Sequence, residues 1–154
     1  MRRKDKEIKE KSTIEKIINE AVVCRIALSD ENNPYIVPMN FGYQSNYIYL
    51  HSARKGKKID ILKVNNNVCF EVEAQVKVIE SENACDWTTS YYSVIGFGKA
   101  ELIIDDNDEK IKGLNVIMEK YSGNKIHEYS QEKLDKITLI KIYLESISGK
   151  KSAL

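Results

Sequence analysis

The chain has 154 residues, 42% hydrophobic and 31% charged, which is the composition of a soluble globule with one domain and its own core. Its 24 Lys and Arg offset 23 Asp and Glu to leave a net charge of +1, which argues against a nucleic-acid partner held by global charge. No apolar run approaches the ~20 residues of a membrane span, the basic start "MRRKDKEIKEKS" lacks the apolar stretch of a secretory signal, and Cys24, Cys69 and Cys85 form no metal-type pair, so a cytoplasmic protein with no metal and no membrane partner is expected.

Ser12 reads as an N-cap with Glu15 as its capping-box partner, and Ile14, Ile17, Ile18 and Ala21 recur at helical spacing, predicting a helix over 12–20. The β-branched run 22–28 reads as a strand, and "DENNP" at 30–34 is turn chemistry. The runs 35–43 and 46–53 read as a hairpin. A short helix is predicted over 57–65, a strand over 68–80 broken near Ala74, a loop over 81–90 and a long strand over 91–103. Ile111, Leu114, Ile117 and Met118 share one face of a helix over 107–122, and 137–149 is a closing strand. About six mostly antiparallel strands with helices at the ends and between them define a mainly β, α+β chain. A small antiparallel barrel with helices packed outside is the expected architecture. Pro38 cannot donate to a ladder, so its strand must have an edge, a bulge or an exposed backbone there.

The stretch "LHSARKGKK" places Arg54, Lys55, Lys57 and Lys58 around Gly56, between a strand and a helix. Charge alone leaves two readings open, a solvated surface or an anion site. For an anion, Ser52 supplies a hydroxyl, Gly56 permits close backbone approach, and Lys57 and Lys58 stand at a helix start whose amides and dipole favour negative charge.

The segments "PYIVPMNFGY", "YIYLHSARKGKKIDILKVNNNVCFEVE" and "YYSVIGFGKA" resemble the pyridoxamine 5′-phosphate oxidase-like FMN-binding split barrels. Within them the chain is most similar to the branch named for 5-nitroimidazole resistance, over roughly residues 2–150. The resemblance implies a homodimeric split β-barrel with two FMN sites at the dimer interface. It implies that the FMN phosphate meets His51, Ser52, Lys57 and Lys58, and that the isoalloxazine lies along Val37, Pro38, Met39 and Asn40. The second subunit is implied to contribute Tyr92 and Ser93. Relatives often carry Arg where this chain has Tyr92, so a cross-dimer cation is missing or supplied elsewhere. The tryptophan-containing tail of some relatives does not follow "ISGK" either.

His51 is implied to lie beside the flavin, with a catalytic part as general acid. His127 reads as a surface residue, and Trp87 as a packing residue at the dimer seam or a cover on the flavin edge. The implied activity is FMN-dependent reduction of a small, flat aromatic acceptor, a 5-nitroimidazole by the branch's name. Two alternatives stay open: a flavin-binding module without turnover, and a haem-binding barrel in which His51 ligates iron.

Overall fold

The computed structural model describes residues 3–123 and 125–153. After a 3₁₀ turn at Lys4–Lys6 come β1 (Glu7–Ile8), α1 (Lys11–Glu20), β2 (Cys24–Asp30), β3 (Asn33–Met39), β4 (Gly42–Gln44) and β5 (Tyr47–Ala53). Then follow α2 (Lys57–Val64), β6 (Asn67–Ile79), β7 (Thr88–Ile103), α3 (Asn107–Ser122), α4 (Gln131–Lys136) and β8 (Ile137–Ser152). All ladders are antiparallel, in the order β3-β2-β6-β7-β8-β5-β4, with β1 added to the far end of β8.

The sheet is not closed: β3 and β4 are its two edges. Yet only Asn40 and Phe41 link Met39 to Gly42. Three Cα steps of 3.8 Å span at most ~11 Å, so the two edges must curl close to each other. This is a split barrel, and the split runs beside Asn40 and Phe41.

Alternation fills the interior. Ile26 and Leu28 of β2, Phe70 and Val72 of β6, Val94 of β7, Ile140 and Ile142 of β8 and Ile48 and Leu50 of β5 form one buried cluster. Ile14, Ile17 and Ile18 of α1 and Ile59, Ile61 and Leu62 of α2 join the same cluster. Each such side chain contributes roughly 1.5–3 kcal/mol by leaving water. A second cluster lies outside the sheet, where Leu114 and Ile117 of α3 and Leu134 of α4 cover Tyr49 and Leu139.

Several expectations are corrected. Ser12 does not cap α1: the N-cap is Glu10, without a side-chain cap, and Glu15 instead accepts a hydrogen bond from the Tyr43 hydroxyl at 2.9 Å. The run 35–43 is not one strand pairing with 46–53. Its first part pairs with β2 and only Gly42–Gln44 pairs with β5, because the chain crosses the split at Asn40 and Phe41. The end of the expected 81–90 loop is the start of β7, and Ile79 pairs with Thr88. The break near Ala74 is present, as a register shift between Ala74 and Lys77 with Gln75 at φ 54°. The helix over 107–122 is present and opens on Asp106, whose carboxylate accepts from the Glu109 amide at 3.0 Å. Among the described residues no helix is long and apolar enough to cross a membrane.

Candidate functional site: a cationic cleft beside an open strand edge

β5 ends where its alternation meets small and charged residues. Ser52 pairs with Thr138, and Ala53 with Ile137, before the chain leaves the sheet. Gly56 then adopts φ 126° and ψ 164°, a conformation essentially closed to residues with a Cβ, and becomes the N-cap of α2. Nothing lies within 4 Å of where a Cβ would stand, so glycine is required there by backbone conformation rather than by crowding. With glycine as cap, no side chain satisfies the first amides of α2.

A cleft of about 470 Å³ opens at this junction, lined by Tyr35, His51, Ser52, Ala53 and the turn Lys55–Ile59. Four residues assigned to a phosphate, His51, Ser52, Lys57 and Lys58, therefore line one cavity. The four cations of the stretch divide by geometry. Arg54 turns away: its guanidinium donates to the Ile104 carbonyl at 2.8 Å and to the Asp105 carboxylate. Lys57 lies 5.1 Å from the centre of the Tyr35 ring and 3.7 Å from the Asp30 carboxylate. Lys55 is exposed on the cleft wall. Lys58 is half-buried, and among the described residues no carboxylate or hydroxyl meets its ammonium.

Burial lowers the Lys58 pKa from its ordinary value. His51 is exposed at the end of β5, yet its imidazole is held below its usual value, first by partial desolvation among its neighbours and then by the charge of Lys58. Both causes oppose positive charge, and the charge of an anion in the cleft would favour it. The donor set is a hydroxyl, an ammonium without a counter-charge, a second lysine and a helix start. Such a set suits a phosphate dianion.

Tyr35, on the cleft wall, belongs to β3, so the cleft continues onto an edge strand. β3 pairs through β2 alone, with Pro38 opposite Arg25, and its other side has no ladder partner. Val37 and Met39 turn partly onto the core while Pro38 and Asn40 are exposed. Pro38 thus marks an edge, as its missing N–H requires.

The two residues assigned to the second subunit lie away from the cleft of their own chain. Ser93 pairs with Glu73 and Lys150 inside the sheet. Tyr92 lines a separate cavity of about 290 Å³ with Ile8, Thr13 and Lys151. His127 is half-buried, not fully on the surface, and its Nε2 lies 2.7 Å from the Ser122 hydroxyl. Trp87 is exposed, and its indole donates to the Ser81 carbonyl at 2.7 Å. Tyr35 and Asp30 were not picked out by the sequence pattern. The turn run "SDENNPY" hid both, although an aromatic at an alternating position next to a turn is a usable signal.

The fold and the cleft define an antiparallel split barrel with a cationic cleft at a strand–helix junction. The family model for pyridoxamine 5′-phosphate oxidase matches residues 10–151, and the chain belongs to that family. It is similar to a protein described as a candidate 5-nitroimidazole antibiotic resistance protein from Bacteroides thetaiotaomicron VPI-5482. The two are 36% identical with a TM-score of 0.84, over 94% of this chain and 86% of the other. In fold it is also similar to the FAD and heme binding protein from Mycobacterium smegmatis, at 17% identity and TM-score 0.86 over 97% of this chain and 74% of that one. A FAD-binding protein from Mesorhizobium loti shares the fold at 20% identity and TM-score 0.67, over 94% of this chain and 96% of that one. A comparison with curated proteins returns no match.

Proposed function

We propose that this chain binds FMN and works as a flavin-dependent reductase of a small, flat nitroaromatic acceptor such as a 5-nitroimidazole. The observation that carries the reading is Lys58, a half-buried cation without a counter-charge among the described residues, in a cleft that continues onto the open edge of β3. Ser52, Lys57, Lys58 and the start of α2 hold the phosphate. The backbone of Val37, Pro38, Met39 and Asn40 offers the polar edge of the ring its hydrogen bonds. When bound, the flavin supplies the electrons for reduction.

His51 stands at the rim between phosphate and ring. Partial desolvation and the Lys58 charge hold its pKa below the ordinary value, and a phosphate in the cleft would act against the Lys58 charge, so that the imidazole could deliver protons, which nitro reduction consumes. A second copy of the chain completes the site, presenting Tyr92 and Ser93 to the ring. The resemblance to the resistance branch and the exposed Ile95 and Phe97 on the outer face of β7 support that pairing. The test is sedimentation with FMN, followed by anaerobic turnover of a 5-nitroimidazole with a nicotinamide donor. A dimer with bound flavin and nitro reduction is expected. A monomer that keeps its flavin contradicts the shared site, and flavin without turnover favours a binding module.

A further inference from the structure

The crossover Asn40–Phe41 is the end of the open strand edge and the point where the barrel is split. Two consecutive residues in the last turn of α3 hold it. The Tyr121 hydroxyl accepts from the Phe41 amide at 3.0 Å and donates to the Val22 carbonyl at 2.7 Å. The Lys120 ammonium donates to the Ile18 carbonyl at 3.0 Å and the Asn19 carbonyl at 2.6 Å, and lies 4.4 Å from the centre of the Phe41 ring. Phe41 is fully buried, so without Tyr121 its amide has no partner among the described residues. An unpaired amide of that kind is costly, which makes the tyrosine hydroxyl more than decoration.

The geometry matters because neither edge strand can hold the crossover by a ladder. β3 ends at Met39, β4 begins at Gly42, and no sheet bond spans the gap. α3 is otherwise packed on the outer face of the sheet, against β4, β5 and β8. Its last turn reaches past the sheet to the C-terminal carbonyls of α1 and the entry to β2, and ties both to Phe41. Burial beside Phe41 and the α1 terminus drives the Lys120 pKa down to about 8, which marks how closely this turn is enclosed. β2 in turn sets the register of β3, with Cys24 opposite Met39.

We infer that Lys120 and Tyr121 are positioning residues for the flavin ring: they fix the Asn40–Phe41 crossover and so the path of Val37–Asn40 along which the ring lies. The inference rests on the flavin reading above. It differs from any role at the phosphate, because it acts on the ring portion alone.

The experiment measures binding of FMN and of riboflavin, which lacks the phosphate, to wild type, Tyr121→Phe and Lys58→Ala at a temperature where all are folded. Amide hydrogen exchange at Phe41 is followed without ligand. Loss of one hydrogen bond to the crossover predicts that Tyr121→Phe weakens FMN and riboflavin by the same factor, about fivefold, and speeds exchange at Phe41. Lys58→Ala weakens FMN only. Lys120→Met, which keeps the stem but loses the donors, shifts both flavins together in the same way. If Tyr121→Phe lowers the melting temperature while both dissociation constants stay at their wild-type values, the staple serves the fold alone and the inference is wrong. Unchanged exchange at Phe41 overturns it as well. If wild type binds neither flavin, the flavin reading itself fails, an outcome separate from the other two.

Discussion

Replacing Lys58 with alanine separates a phosphate anchor from a structural lysine. The ammonium is half-buried, lies in the cleft and has no protein counter-charge among the described residues, and burial already lowers its pKa. The flavin-free protein therefore carries a half-buried charge without a counter-charge among the described residues, and Lys58→Ala removes it without breaking a hydrogen bond or ion pair among them. The variant without flavin is expected to melt at the wild-type temperature or slightly above. With FMN the sign reverses. One charge-assisted contact is worth about 1.5–3 kcal/mol. Lys58 is partly exposed, so solvent screening places it at the lower end, and about tenfold weaker FMN binding is expected. The difference should shrink as salt is raised, since a partly exposed ammonium is screened. Isothermal titration or flavin fluorescence reads both ligands. Riboflavin binding should be nearly the same in wild type and variant. Equal loss of FMN and riboflavin, or a large drop in melting temperature without ligand, refutes the assignment.

Other consequences follow from the same geometry. Gly56→Ala forces a residue with a Cβ to φ 126° and is expected to cost about 1–3 kcal/mol in chemical denaturation and to weaken FMN binding, although open space surrounds the site. Gly98→Ala drives a Cβ into the Tyr143 carbonyl oxygen, where backbone rather than a movable side chain must yield; loss of about 1–3 kcal/mol or more is expected by the same measurement. The Lys58 charge helps hold the His51 pKa down, so Lys58→Ala should raise it in an NMR titration. Because His51 is depressed when folded, the unfolded chain takes up its proton first. Its contribution to stability should therefore be lost as pH falls from ~6.5 through the folded pKa.

Elements that carry their own periodicity were legible in the sequence. α1 and α3 show apolar residues at helical spacing, and β6 shows alternation broken at Ala74, because each pattern is decided within one segment. The split of 35–43 was not legible. Its residues alternate smoothly, and only the long-range choice of partner, β2 for one half and β5 for the other, reveals the crossover. Ser12 and Glu15 have capping-box spacing, yet the hydroxyl of Tyr43, 28 residues further on, takes the carboxylate. Of the candidate site, Ser52, Gly56, Lys57 and Lys58 were legible because a strand, a glycine and a helix start follow one another directly. The departure of Arg54 was not, since its partner Asp105 lies 51 residues away. The staple of Lys120 and Tyr121 was hidden for the same reason: its partners are 80 to 102 residues distant.

The central claim is that the cleft at residues 51–59 and the open edge of β3 together hold FMN. The absorption spectrum of the purified protein, followed by release of the bound chromophore by denaturation and its identification, tests this most directly. A flavin spectrum and release of FMN, one per chain, are expected. A Soret band in place of the flavin bands, or a colourless protein that takes up no FMN when it is added, contradicts it.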